Sequence, residues 1–215
     1  MKAVIKESRA DHIIESARTV FFQKGYSSTS ISDICKVAGC SRTTLYSYFE
    51  SKENIYLAVV KKTFNKFLAY FSRLELKEQS GLDRVLNLAL GYLEFAQQFP
   101  QHYLVILDFY GTLRSIVEAT AETEAQSKIR ESDYFKDVET LARLPLKLLS
   151  EEIANGQADQ SINHKATATE HMMNIWAYLK GMADLFPMIQ HFEAEQFASY
   201  ELKATVRQTI MAMIH

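Results

Sequence analysis

Apolar residues recur at helical spacing in the first fifth of the chain. In residues 9–24 they follow the i, i+4, i+7, i+8 pattern of a helix with one buried face. Gly25 comes directly after this segment and suits a left-handed helix end. Ser30 with Asp33 three residues later resembles a capping box, and the apolar spacing after it predicts a short second helix that Gly39 ends.

A third short helix is predicted directly after Gly39. Ser41 is suited to cap it, and Leu45 and Phe49, four residues apart, are expected to face inward. Two short helices joined by a tight turn that contains glycine, and packed on a longer first helix, match the helix-turn-helix unit. The first 52 residues therefore predict such a unit.

Longer helical patterns fill the rest of the chain, and no β-hairpin signal occurs. The predicted helices span residues 52–74, 82–98, 101–112, part of 114–130, 133–155, 165–186 and 194–214. Breaks are expected at Gly81, Pro100, Gly111, Gly156 and Pro187, and Pro145 is expected to kink its helix or end it. The fold class is all-α, with a small domain over residues 1–52 and a larger helical domain over residues 53–215.

Composition fits a globular helical protein, with 47% hydrophobic residues, 7 Gly and 3 Pro in 215 residues. No run of about 18 apolar residues occurs, and the N-terminus lacks the apolar centre of a signal peptide. Two cysteines provide no disulfide framework. We therefore expect a cytoplasmic protein with no membrane contact.

Charge is divided unevenly along the chain. Residues 1–52 carry 8 Lys and Arg against 5 Asp and Glu, a net charge of +3, whereas the remaining residues carry 16 against 21, a net charge of −5. A basic head on an acidic body directs only the head toward phosphates.

Segment 24–53 carries a specific combination of residues. Its elements are KGY at 24–26, TSI at 29–31, AGCS at 38–41, TLYSYF at 44–49 and SKE at 51–53. This combination resembles the TetR family of bacterial repressors, and the resemblance covers roughly the first 60 residues. Cys35 and Cys40 depart from it, because that family usually has Ala and Val there. Both are small enough to pack, and a bridge between them would have to distort the turn, so packing is favoured over a redox role.

The resemblance implies which residues contact double-stranded DNA. Arg42, Thr43 and Thr44 occupy the first exposed turn of the recognition helix, where side chains meet base edges in the major groove. Arg42 is suited to bidentate reading of guanine. The predicted phosphate contacts are Thr29, Ser30, Ser41, Tyr46, Tyr48 and Lys52.

The larger domain is expected to bind a small apolar or aromatic effector, because aromatic residues are dense in its helices. The candidate ligand-binding residues are Tyr92, Tyr103, Tyr110 and Trp176. For any one of them, a place in the ordinary core is the more common alternative.

The last two predicted helices have apolar faces that suggest a homodimer. The residues on these faces are Met172, Ile175, Trp176, Leu179, Met182, Phe186, Phe197, Val206, Ile210, Met213 and Ile214, with Met173 and Tyr178 as extensions. In proteins of the family that the chain resembles, this pair of helices meets its twin in a four-helix bundle. A two-fold dimer would bind a near-palindromic operator.

The resulting hypothesis is a ligand-responsive transcriptional regulator, a repressor that a small molecule releases from its operator. An enzyme is disfavoured, because the six histidines have no metal-ligand spacing and no Gly-rich phosphate loop occurs, so no metal or cofactor is expected. The remaining alternative is a helical protein-interaction module that no longer reads a specific DNA sequence. That alternative predicts a degraded recognition helix, whereas residues 42–52 look intact.

Overall fold

The computed structural model describes residues 2–74, 80–121, 123–163, 165–192 and 201–214, which form helices and contain no strand. The helices are α1 Lys2–Lys24, α2 Ile31–Ala38, α3 Arg42–Tyr46, α4 Lys52–Phe71, α5 Gly81–Gln98, α6 Pro100–Glu118, α7 Glu124–Glu131, α8 Asp133–Ala158, α9 Ala168–Phe192 and α10 Leu202–Ile214. The all-α prediction is confirmed. None of the described helices is long and apolar enough to cross a membrane.

The start and end signals of the first helices act as the sequence predicts. Gly25 and Gly39 both adopt left-handed conformations, with φ of 75° and 57°, which a residue with a side chain adopts only with strain. Ser30 and Asp33 form the capping box, in which the Ser30 N–H donates to Asp33 Oδ2 at 2.9 Å and the Asp33 N–H donates to Ser30 Oγ at 3.2 Å. Local chemistry therefore fixes where α1 ends and α2 begins.

Several predicted breaks in the larger domain are wrong. Gly111 lies inside α6, Gly156 inside α8 and Pro187 inside α9. Pro145 lies within α8 and does not end it, so the predicted kink stays a prediction. A glycine in a helix costs only about 1 kcal/mol relative to alanine, so the packing of the helix outweighs it. The last predicted helix begins among residues outside the described ones, and its described part is α10.

The chain forms two compact units. The first contains Met1–Asn65 and Leu104–Ala142, and the second contains Lys66–Tyr103 and Arg143–His215. Each unit has buried apolar side chains from all its longer helices. The division at residue 52 that the sequence suggests concerns function and stays a prediction.

Polar contacts join the helices of the first unit. The Tyr56 hydroxyl donates to Asp108 Oδ2 at 2.5 Å, and burial, followed by the charge of Asp108, raises the pKa of Tyr56. Asn54 Nδ2 donates to Ser132 Oγ at 3.0 Å between buried side chains. These bonds hold the first half of α4 against α6 and the start of α8.

In the second unit, the start of α5 lies against the end of α8. A Cβ added to Gly81 would lie 2.2 Å from the Cα of Gly156, so the two backbones touch where neither residue has a side chain. Asp159 Oδ2 accepts a hydrogen bond from the Gly81 N–H at 2.7 Å. Two glycines and one carboxylate therefore fix this contact.

Candidate DNA-binding surface and effector cavity

The turn between α2 and α3 is built by backbone hydrogen bonds and a side-chain cap. The N–H groups of Gly39 and Cys40 both donate to the carbonyl oxygen of Cys35, the latter at 3.1 Å. Ser41 Oγ then accepts from the Thr44 N–H at 3.0 Å, which caps α3. Leu45 is fully buried and anchors α3 to the core. The opposite side of α3 consequently faces solvent.

The predicted base-reading residues lie on that side. Arg42 and Thr43 are exposed, and Thr44 is half-buried with its hydroxyl 2.9 Å from Ser41 Oγ. The Arg42 guanidinium donates to Ser32 Oγ on α2. Reading a base would therefore require Arg42 to exchange this exposed hydrogen bond for one to the base.

The two tyrosines that follow differ in their surroundings. Tyr46 is 51% exposed, an unusual exposure for a large aromatic side chain. Tyr48 is half-buried and lines an open surface depression with Ser8, Arg9 and His12 of α1. Arg9 and His12 are not among the residues predicted from the sequence, where the only signal for them is the basic balance of the first 52 residues.

Thr29 is turned inward. It is 2% exposed, and its hydroxyl donates to the Gly25 carbonyl oxygen at 2.7 Å. This burial weighs against a phosphate contact by Thr29. Ser30 is exposed, but its hydroxyl serves the capping box by donating to Asp33 Oδ2 at 2.7 Å.

Lys52 holds the loop before α2. Its Nζ donates to the carbonyl oxygens of Tyr26 and Thr29, at 3.1 Å each, and lies 4.3 Å from the centre of the Tyr26 ring. The Tyr26 hydroxyl in turn donates to Glu53 Oε1 at 2.8 Å, and burial, followed by this bond, raises the pKa of Tyr26. The structure thus gives Lys52 a role inside the protein, and its phosphate contact stays a prediction.

Ion pairs neutralise acidic residues near this surface. Lys24 Nζ lies 2.6 Å from Asp33 Oδ1, and this hydrogen bond is the main reason why the pKa of Asp33 falls below its ordinary value. Lys62 Nζ lies 2.8 Å from Asp11 Oδ1. Among the described residues, no carboxylate lies within ion-pair distance of the exposed Lys36. Its positive charge remains available to a phosphate.

The second unit encloses a small apolar cavity of about 20 Å³. The lining residues are Phe71, Leu88, Ala89, Tyr92, Pro145, Leu148, Leu149, Trp176 and Leu179. A volume of this size holds about one water molecule, whereas sites for drug-sized ligands measure roughly 300–1,000 Å³. A larger ligand could enter only if these side chains moved apart.

Three of the four predicted ligand-binding residues lie together. The rings of Tyr92 and Trp176 are 5.1 Å apart at the cavity, and the Tyr92 hydroxyl donates to the Tyr103 hydroxyl at 3.1 Å. Tyr103 in turn donates to Asp184 Oδ1 at 2.9 Å. Tyr110 belongs to the first unit, where its hydroxyl donates to the Ala142 carbonyl oxygen at 2.8 Å. The ligand-binding role of all four stays a prediction.

The segment that contains α2 and α3 is similar to known regulatory proteins. Residues 13–59 match the model of the bacterial regulatory proteins of the tetR family. The chain is 38% identical over 63 residues to the biofilm operon icaADBC HTH-type negative transcriptional regulator IcaR of Staphylococcus epidermidis. These 63 residues are 29% of this chain and 34% of that protein. It is 30% identical over 95 residues to IcaR of Staphylococcus aureus strain Newman, 44% of this chain and 49% of that protein. The chain therefore spans less than half the length of these relatives.

Solved structures match over nearly the whole chain. A tetR-family regulatory protein from Rhodococcus RHA1 has a TM-score of 0.67 at 16% identity, covering 96% of both chains. The fatty acid degradation regulator FadR from Bacillus halodurans has a TM-score of 0.66 at 16% identity, covering 96% of this chain and 94% of that one. At such identities the likeness concerns the fold.

The fold and the surface of α2 and α3 define a helix-turn-helix protein. Over residues 13–59 this helix-turn-helix is similar to that of the bacterial regulatory proteins of the tetR family. The relatives named above are regulators of transcription, not enzymes.

Proposed function

We propose that this protein is a DNA-binding transcriptional repressor that acts as a homodimer and leaves its operator when it binds a small apolar or aromatic molecule. The observation that carries the proposal is the capped helix α3, which is anchored by buried Leu45 and presents Arg42, Thr43 and Tyr46 to solvent. The interaction-module alternative predicts a degraded recognition helix, whereas these residues form an intact capped helix. The naming of IcaR as a negative regulator supports repression.

The dimer proposal rests on exposed apolar side chains of the last two helices. Met173, Leu185 and Met188 of α9 are 59%, 52% and 54% exposed, and Met211 of α10 is 36% exposed. Helices α9 and α10 pack against each other, and exposed apolar residues on neighbouring helices are typical of an interface. A two-fold pairing would place two copies of α3 on one near-palindromic DNA site.

Several residues that the apolar pattern assigns to this interface lie in the core of their own chain. Ile175, Leu179, Val206 and Ile210 are at most 2% exposed. The helix face was identified correctly as apolar, but periodicity alone cannot tell a core face from an interface. Phe197 lies outside the described residues.

The effector proposal rests on the cavity of the second unit. Its lining is mostly apolar and includes Tyr92, whose hydroxyl donates a hydrogen bond to the Tyr103 hydroxyl. An aromatic or aliphatic ligand would replace side-chain contacts there, with one polar group directed to the Tyr92 hydroxyl. Such a ligand regulates DNA binding only if it binds two conformations with different affinity.

DNA binding is tested by fluorescence anisotropy with the DNA upstream of the gene, across a salt series. We expect nanomolar, salt-sensitive affinity for a near-palindromic sequence, with at least about 1–3 kcal/mol lost in Arg42→Ala if Arg42 reads a base. Arg114→Ala is the matched control, because the Arg114 side chain is 76% exposed and pairs with Glu118 four residues away on α6. Weak binding of equal affinity for all DNA sequences, unchanged in Arg42→Ala, would favour the alternative that the protein is a protein-interaction module.

The effector site is tested by thermal unfolding with a panel of apolar and aromatic compounds. A compound that stabilises the protein and releases the operator should lose both effects in Trp176→Ala, since Trp176 lines the cavity. A compound that acts equally on Trp176→Ala binds elsewhere. That result would contradict the placement of the effector.

A further inference from the structure

The two cysteines of the chain meet at the turn between α2 and α3. Gly39 is the left-handed residue that ends α2, and the Cys40 N–H donates to the Cys35 carbonyl oxygen at 3.1 Å. In this helix ending, the Schellman motif, the residue after the left-handed glycine commonly packs its side chain on the residue four positions before that glycine. These two positions are Cys40 and Cys35.

The surroundings of the two thiols are unequal. Cys35 is buried in the core of the helix-turn-helix, whereas Cys40 is half-exposed. Burial first, and then the neighbouring Cys40 thiol, raise the pKa of the Cys35 thiol. The effect of Cys40 on Cys35 agrees with the closeness of the two residues in the turn. An oxidant from solvent therefore reaches Cys40 before Cys35.

We propose that Cys35 and Cys40 are a thiol pair that a hydroperoxide converts to a reversible disulfide, and that this bond weakens operator binding. The second half of this proposal rests on the DNA-binding function proposed above, whereas the first half does not. The sequence alone suggested that such a bridge would have to cross a rigid turn. The structure shows instead that the turn itself brings the two residues side by side.

The chemistry requires only the two thiols and a hydroperoxide. The Cys40 thiolate attacks the terminal oxygen, the O–O bond breaks, an alcohol or water leaves, and Cys40 becomes a sulfenic acid. The Cys35 thiolate then attacks the Cys40 sulfur, the S–O bond breaks, and the hydroxide takes up a proton and leaves as water. Two electrons pass from sulfur to the peroxide. The raised pKa of Cys35 slows the second step, but both cysteines lie in one turn, so that step is intramolecular.

The disulfide would change the start of the recognition helix. The two sulfur atoms must approach to about 2 Å to form the bond. Cys35 is held in the core, so Cys40 has to move, and Cys40 directly precedes Ser41, the cap of α3. The hydrogen bond from Arg42 to Ser32 spans the same gap between α2 and α3. A shift of Cys40 therefore moves the residues that are predicted to read DNA.

Tryptic digestion identifies the bond without ambiguity, because Lys36 lies between the two cysteines. The full-length reduced protein is treated with hydrogen peroxide, its remaining thiols are blocked, and it is digested without reductant. We expect peptides 25–36 and 37–42 joined by a disulfide, and their separation after dithiothreitol. Unlinked peptides with blocked thiols, or with Cys40 oxidised only to sulfinic or sulfonic acid, would overturn the proposal.

Operator affinity is then measured on the same samples by anisotropy. Cys35→Ala and Cys40→Val are the controls, because both keep a small apolar side chain in the turn. We expect oxidation to lower the affinity of the wild-type protein at least about tenfold, dithiothreitol to restore it, and both variants to be unaffected by peroxide. A linked peptide pair with unchanged operator affinity would overturn the regulatory half. If the reduced protein binds no operator, the proposed function fails, while the peptide experiment still decides whether the disulfide forms.

Discussion

Replacement of Lys52 by methionine separates two roles that the structure and the sequence give to this residue. The sequence predicts a phosphate contact, whereas the structure shows the ammonium group bonded to the carbonyl oxygens of Tyr26 and Thr29 and placed over the Tyr26 ring. Methionine keeps most of the aliphatic stem and removes the charge and its hydrogen bonds. Any change in stability therefore measures the ammonium contacts.

The expected loss of stability is about 2 kcal/mol. A hydrogen bond to a charged group contributes about 1.5–3 kcal/mol, and a partly exposed cation–π contact about 0.5–1 kcal/mol. Because Lys52 is only half-buried, water replaces part of what is lost, so the sum of these contributions is an upper bound. For a chain of this length, about 2 kcal/mol lowers the melting temperature by roughly 4–8 °C.

Denaturant unfolding at fixed protein concentration measures this loss, with Lys36→Met as the control. Lys36 is exposed, and we expect its replacement to change the free energy of unfolding by less than about 0.5 kcal/mol. Lys52→Met is then compared with the wild-type protein in the salt dependence of DNA binding, where a lost phosphate contact lowers the slope by about 0.9 per subunit. Unchanged stability of Lys52→Met together with a lowered slope would refute the structural role.

Three further substitutions test the packing, the interface and the cap. In denaturant unfolding, Gly81→Ala should lower the free energy of unfolding by about 3 kcal/mol, because its Cβ would lie 2.2 Å from backbone atoms of α8. Gly111→Ala is the control: it has open space around it, so it should raise the free energy of unfolding by up to about 1 kcal/mol. Leu185→Glu should shift the protein from dimer to monomer in light scattering, and Val117→Glu, which is 77% exposed on α6, should not. A dimer that survives Leu185→Glu unchanged would contradict the interface. Ser41→Ala should lower the free energy of unfolding by about 1 kcal/mol and weaken operator binding, because α3 has five residues and the Ser41 side chain caps it. An operator affinity equal to that of the wild-type protein would show that α3 needs no cap.

Local signals made the helix-turn-helix predictable. The ends of α1 and α2 depend on Gly25, Gly39 and the Ser30–Asp33 capping box, all of which act within a few residues along the chain. The spacing of Leu45 and Phe49 likewise indicated the buried side of α3, and both are at most 2% exposed. Features that depend on such short-range interactions can be predicted from the sequence.

The larger helices depend on contacts between distant residues. Gly156 suggested a helix end, yet α8 continues through it because Gly81, 75 positions earlier, packs against it. Lys52 suggested a surface charge, and only the folded loop brings the carbonyl oxygens of Tyr26 and Thr29 to its ammonium group. Neither partner can be identified from the residue itself or its neighbours in sequence. The same holds for the exposed face of α9, which periodicity does not distinguish from its buried face.

The central claim is that α3 reads a specific DNA sequence, and footprinting tests it most directly. The purified protein is added to the DNA upstream of its gene, which is then cleaved by hydroxyl radicals. We expect protection of two half-sites whose centres lie about one helical turn of DNA, or a multiple of it, apart, and loss of that protection in Arg42→Ala. Cleavage that stays uniform at protein concentrations that saturate binding would contradict the account.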